Sequence, residues 1–161
     1  MTPTTTHETE IIVDPDIPLV RIVREFDALP EKVFRAHADP ELFARWCGPK
    51  GTEMRIEHHD CRTGGSYRFV HIDQGQEYGF RGCFHDVRPG ELIVQTFTFE
   101  GMPDDVALEK IRFEDLGDGR TRLVSTSLVD SFEGRDAFVA SGMDVGVREG
   151  YERLDEVLAA G

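Results

Sequence analysis

The chain has 161 residues, about one domain's worth, of which 39% are apolar and 30% charged, a composition that excludes a disordered chain; no apolar run approaches the roughly 18 residues of a membrane span. Acids outnumber bases 31 to 18, and the net charge of −13 argues against nucleic acid and anionic lipid as partners, because binding a polyanion relies on Lys and Arg displacing its counterions. Three cysteines, Cys47, Cys61 and Cys83, are odd in number and far apart, which excludes a disulfide framework.

Residues 1–16 (MTPTTTHETEIIVDPD) are Thr-rich, acidic and flanked by Pro, and predict a flexible leader with a short strand at Ile11–Val13. No linker divides residues 17–161, which are expected to form a single domain. The first 20 residues carry no basic segment followed by an apolar one, so no secretory signal is expected, and reduced thiols fit a cytoplasmic location.

Leu19–Phe26 (LVRIVREF) is β-branched and partly alternating and predicts a strand. Pro30 suits a first helical turn, where its missing N–H has no intrahelical partner, and Glu31 suits the positive helix end. Asp39 and Pro40 restart the chain as cap and first residue of a second short helix with Leu42, Phe43 and Trp46 as its stripe, and Gly48-Pro49 stops it. Six strands then follow in series: Thr52–Asp60, with Met54, Ile56 and His58 alternating, Ser66–Ile72, Glu77–Val87, Leu92–Glu100, Val106–Asp115 and Thr121–Val129. Turn signals such as Gly64-Gly65, Arg88-Pro89-Gly90 and Gly117-Asp118-Gly119 separate them, as in an antiparallel meander.

From Ser131 or Glu133 the apolar residues Phe138, Val139, Met143, Val147, Tyr151, Leu154 and Leu158 step by three and four, which predicts one helix of about 25 residues. The order is β-α-α-β6-α, an α+β arrangement in which only that last helix, roughly 37 Å long, can cover the sheet's buried face. Gly142, Gly146 and Gly150 recur on it at intervals of four. Three interior glycines cost roughly 3 kcal/mol relative to Ala, so either close approach of the helix to the sheet or a hollow left between them is expected as the offset.

Self-sufficient chemical motifs are missing: no GxxxxGK[ST], HExxH, GxSxG, GxGxxG or CxxC occurs. His58-His59-Asp60-Cys61 is rich in ligands, but neighbours on a strand face opposite ways, so no metal and no cofactor is expected. Arg81, Cys83, His85 and Val87 share one phase of their strand; with Val87 inside, Arg81 and His85 follow, and Cys83 is expected to be a buried structural thiol. His71 and His85, each among aromatics, are candidate general bases with Glu109 as acid partner; ordinary hydrogen-bonded core or surface roles fit them as well. Trp46, with an apolar body and a polar tip, is the strongest single pocket candidate, and Tyr67, Tyr78 and Tyr151 share its character.

Segments in chain order carry a resemblance. They are Arg24-Glu25-Phe26-Asp27-Ala28, Pro30 with Val33-Phe34, Asp39-Pro40-Glu41-Leu42, Arg45-Trp46-Cys47-Gly48-Pro49, Gly82 with Val87-Arg88-Pro89, and Gly142-Met143, Gly146, Gly150-Tyr151 and Arg153-Leu154. Together they resemble the SRPBCC (START-like, helix-grip) superfamily, in the branch named after the activator of the heat-shock-protein-90 ATPase. The resemblance implies a curved seven-stranded antiparallel sheet around a long C-terminal helix, with a deep pocket between. It implies binding of lipids or other apolar molecules, with cyclases, dehydratases and hydrolases among the superfamily's members. Its name-giving co-chaperones carry a further N-terminal domain that engages the chaperone; 16 residues stand in that place here, so chaperone association is the weakest expectation. Cys47 stands where an aromatic usually follows the Trp of the second helix.

The leading expectation is therefore a cavity for a small apolar or amphipathic molecule, walled by Trp46, Phe69, His71, Phe80 and Arg81 and by His85, Phe97, Glu109, Met143 and Val147. The alternatives are a cyclase- or hydrolase-type enzyme using His71 or His85 as base, and an interaction module whose acidic surface meets a basic partner. No membrane insertion is expected, and a homodimer through a sheet edge or the small helices is left open.

Overall fold

The computed structural model describes residues 7–161. In chain order the elements are β1 (Glu10–Val13), β2 (Leu19–Phe26), α1 (Pro30–Ala38), α2 (Pro40–Trp46), β3 (Glu53–His59), β4 (Ser66–Asp73), β5 (Gln76–Arg88), β6 (Leu92–Phe99), β7 (Ala107–Gly117), β8 (Arg120–Leu128), α3 (Phe132–Ala140) and α4 (Met143–Ala160). The strands form one antiparallel sheet in the order β1-β2-β8-β7-β6-β5-β4-β3, and with the terminal helix against it the fold is an α+β helix grip. The sheet has eight strands where seven were expected, because Glu10–Val13 pairs with Val20–Val23 at its edge. Residues 1–6 of the expected leader lie outside the described residues.

Local signals place the small helices. Pro30 and Pro40 each open a helix, and Asp39 caps the second by accepting from the Glu41 N–H at 2.9 Å. Ser131 caps α3, its Oγ accepting from the Gly134 N–H at 3.0 Å. The single terminal helix of the sequence reading is two helices. Gly142 has φ +90°, a left-handed conformation that ends α3 and begins α4, so α4 has 18 residues. At 1.5 Å per residue it is about 27 Å long.

On β2 the inward phase is Val20, Ile22, Arg24 and Phe26, and on β8 it includes Thr121, Leu123 and Ser127. Phe26 meets Tyr151 of α4 edge to face at 5.4 Å, and Leu154 and Leu158 continue the buried side of that helix. Two irregularities shift the phase of the sheet's other half. The register of β3 against β4 slips between Ile56 and His58, and that of β5 against β6 slips between Phe84 and Asp86. In β3 the inward sequence therefore runs Met54, Ile56, His59, not Met54, Ile56, His58, and His58 bonds Ser66 Oγ at 2.9 Å. In β5 Phe84 and Val87 both pack into the core, which sends Arg81, Cys83 and His85 to the exposed face.

Among the described residues no helix is long and apolar enough to cross a membrane. The half-buried Cys47 and Cys61 and the exposed Cys83 are all free thiols. Cys83 is thus not the buried thiol expected, because its strand faces the other way.

A cavity between the sheet and the terminal helix

A cavity of about 330 Å³ lies between α4 and the inner face of the sheet. Every strand except β1 reaches it: Ile22 from β2, His59 from β3, Phe69 from β4, Phe84 from β5, Phe97 from β6, Glu109 from β7 and Ser125 from β8. Strands stand about 4.8 Å apart, so seven of them meet one such cavity only if the sheet curls around it.

Aromatic rings make most of the wall. Phe69 stacks between Tyr67 (5.9 Å) and Phe80 (5.4 Å), and Phe80 stacks on Phe97 (5.4 Å). Trp46 closes the side formed by α2: its indole N–H donates to Ala36 O at 2.8 Å, and its ring lies 4.8 Å from His37 and 5.4 Å from Phe43. Met143, Val147 and Tyr151 line the cavity from α4.

The glycine row acts against α2 rather than the sheet. A Cβ on Gly150 would stand 3.2 Å from Trp46 O and 3.4 Å from Gly48 N, so the bare backbone lets α4 approach the end of α2 closely. A Cβ on Gly146 would meet only Pro49, at 3.5 Å. Both glycines also border the cavity, whereas Gly142 sits at the helix break and not in a helix interior.

The polar groups of the cavity are mostly neutral. His37 Nδ1 donates to Val33 O at 2.8 Å, and burial drives its pKa down to about 4, which leaves an uncharged ring. Burial also lowers His59, whose Nε2 bonds His37 O at 3.0 Å, and His71, whose buried Nε2 has no partner. The Tyr67 hydroxyl donates to Thr96 O at 2.7 Å, and desolvation raises its pKa. Cys47 is pushed up to about 12 by burial and then by the neighbouring Glu109, so it remains a thiol. Desolvation raises Glu109 itself, opposed only in part by Gln95, whose Nε2 donates to Oε1 at 3.0 Å, and by Ser127 beside it.

Of the residues expected to wall a pocket, Trp46, Phe69, His71, Phe97, Glu109, Met143 and Val147 line the cavity. Phe80 stands behind it as a backing ring for Phe69 and Phe97. Arg81 and His85 are exposed on the opposite face, so the expectation that they point inward is corrected by the slip in β5. His85 therefore does not share the cavity with Glu109. Among the described residues the only His–carboxylate contacts are those of His7 with Asp27 (2.9 Å) and Glu25 (4.0 Å), outside the cavity. No three of His, Cys, Asp and Glu among the described residues gather as metal ligands would.

Sequence reasoning missed His37, His59, Gln95 and Ser127. The last two carried a readable signal: Gln95 alternates in phase with Ile93 and Phe97, and Ser127 with Leu123 and Ser125. His59 was concealed by the slip in β3, and His37 is placed by contacts between α1 and the rest of the core.

Residues 27–159 match the family described as Activator of Hsp90 ATPase homolog 1-like protein. A solved structure from Arthrobacter aurescens is similar at 26% identity with a TM-score of 0.85, covering 94% of this chain and 92% of that one. One from Rhodobacter sphaeroides gives 26% identity and a TM-score of 0.83 over 94% and 98% of the two chains, and one from Chromobacterium violaceum 28% and 0.75 over 86% and 96%. No curated protein matches. The match runs from the residue after β2 to the last turn of α4, and on that span the chain belongs to the Activator of Hsp90 ATPase homolog 1-like family.

Proposed function

We propose that the protein binds a small apolar or amphipathic molecule between the sheet and α4. The observation that carries this reading is the cavity itself: about 330 Å³ at the heart of the domain, walled by Trp46, Phe69, Phe84 and Phe97, with a few neutral polar groups among them. Protein interiors are otherwise packed to crystal-like density, and a hollow lined by large rings gives up dispersion contacts that a guest restores. An apolar cavity of about 150 Å³ accommodates benzene, so this one has room for roughly a dozen heavy atoms. That favours mono- and bicyclic molecules over full-length lipids.

A thermal-shift screen tests the reading, with single-ring and two-ring aromatics set beside fatty acids, aromatic polyketides and steroids. A guest that binds the folded state alone raises the melting temperature with the logarithm of its concentration. The two-ring compounds are expected to give the largest shifts, and native mass spectrometry should show one guest per chain. A panel in which no compound raises the melting temperature would overturn the proposal.

A further inference from the structure

The register of three neighbouring strands sets Gln95 opposite Glu109 and Glu109 opposite Ser127. Their side chains form one polar row on the inner face of the sheet, within the cavity wall. The next inward residues along β6 and β7 are apolar: Ile93 and Ile111 on one side, Phe97 and Ala107 on the other. Gln95 occupies Oε1 of Glu109 at 3.0 Å, which leaves Ser127 as the other protein donor beside the carboxyl. Ser127 is only 6% exposed, yet its Oγ makes no hydrogen bond of good geometry, to Glu109 or to any other group among the described residues. Buried polar groups are nearly always satisfied, so a hydroxyl poorly aligned on a half-used carboxyl points to a further partner from outside the chain.

We propose that the Gln95–Glu109–Ser127 row is the polar anchor of the cavity, and that it receives the carbonyl of an uncharged aromatic ligand of about two fused rings. The inference rests on the cavity-binding reading above and specifies its ligand. Among the described residues no Lys, Arg or His forms an ion pair with Glu109, and its desolvation favours the protonated carboxyl. A protonated Oε2 is a donor, as is the Ser127 hydroxyl, and a carbonyl oxygen accepts from both. A ligand ammonium would instead require an ionised Glu109 and a desolvated cation inside an aromatic wall, a pair whose burial penalty rivals its attraction. The rings beside the row favour a flat body over a branched one.

Three probes of equal heavy-atom count separate these cases: 2-acetylnaphthalene, 2-isopropylnaphthalene and 1-(2-naphthyl)ethylamine, each titrated by NMR against the full chain. The ketone is expected to bind about 5–10-fold more tightly than the hydrocarbon, the span of one net hydrogen bond, and the amine least tightly. Glu109→Gln should retain the ketone preference, because its amide still donates, and Glu109→Leu should reduce it to what the Ser127 hydroxyl alone supplies. Ser127→Ala should weaken the ketone alone. Equal affinity for ketone and hydrocarbon, tightest binding of the amine, or an unchanged preference in Glu109→Leu would overturn the anchor while leaving the cavity reading standing. Failure of all three probes would overturn both. If Glu109→Leu does not fold, the wild-type ranking and Ser127→Ala decide the question.

Discussion

Arg24 on β2 grips Asp155 on α4 with both prongs of its guanidinium, Nη1 to Oδ1 at 2.9 Å and Nη2 to Oδ2 at 2.6 Å. Arg24 is 2% exposed, lies 4.8 Å over the Phe26 ring, and also donates to Glu25 O. It fills an inward position that its strand's alternation reserves for apolar residues, so the pair fastens the terminal helix to the sheet next to the cavity.

Asp155→Ala strands this buried guanidinium. We expect a loss of about 2–3 kcal/mol, tempered because Asp155 is 37% exposed, measured by urea unfolding. The double variant Arg24→Met/Asp155→Leu, which removes both charges, should recover most of that loss. Equal stability of wild type and Asp155→Ala would show that the pair does not fasten the helix.

The glycines of α4 should answer differently to the same substitution. Gly146→Ala places its methyl at ordinary contact distance from Pro49 and should stabilise the helix by up to about 1 kcal/mol. Gly150→Ala presses on the backbone of Trp46 and Gly48, which cannot swing aside, and should destabilise. Gly142→Ala must hold φ +90° and should cost about 1–2 kcal/mol. Thermal denaturation of the three variants checks the ranking; a stabilising Gly150→Ala would contradict the close approach.

Acid should unfold the protein through its buried imidazoles. His37 titrates at about 4 when folded and near 6.5 when unfolded, so between these values the unfolded chain holds a proton that the folded one lacks. The stability it contributes is full above pH 6.5 and lost as pH falls toward 4, about 3 kcal/mol at 1.36 kcal/mol per unit. His59 and His71, lowered by burial, act in the same sense. Glu109 acts in the opposite one. The folded state retains its proton above the pH at which the unfolded chain releases it, so its contribution is present in acid and declines as pH rises. Urea titrations at pH 7.5, 5.5 and 4.5 should show a shallower acid slope in His37→Gln, whatever that variant's absolute stability. An unchanged slope would remove His37 from this role.

Filling the cavity should block binding without unfolding the domain. Val147→Phe projects a ring from α4 into the space and should abolish ligand-induced thermal shifts, with a change in the unliganded melting temperature of only a few degrees. A variant that still responds to the same ligand would place binding elsewhere.

The strands, the two small helices and the covering role of the terminal helix were legible in the sequence because alternation, proline and capping residues act locally. Val147 was found by following phase along the helix, and Glu109 as the acid partner sought for a pocket histidine. What escaped was each place where one residue resets the phase: Gly142, whose backbone could as well have stayed helical, and the slips beside His58 and His85. A bulge is fixed by the partner strand's register, which the strand's own residues do not record. Arg81 and His85 were therefore placed on the wrong face, and His59 was overlooked.

The slip at His85 also decides what the hollow is made of. Phe84 and Val87 are three residues apart, so strict alternation would set them on opposite faces, and the one extra residue of the bulge brings both into the interior. A strand of the same length paired here without the slip would have to turn the apolar side chains of one half to water and bring Arg81 and Cys83, or Asp86, in among the rings. The outline of the domain could survive such a change of pairing, but the chemical character of its hollow would not, and chains that share this architecture yet lack the bulge should favour unlike guests.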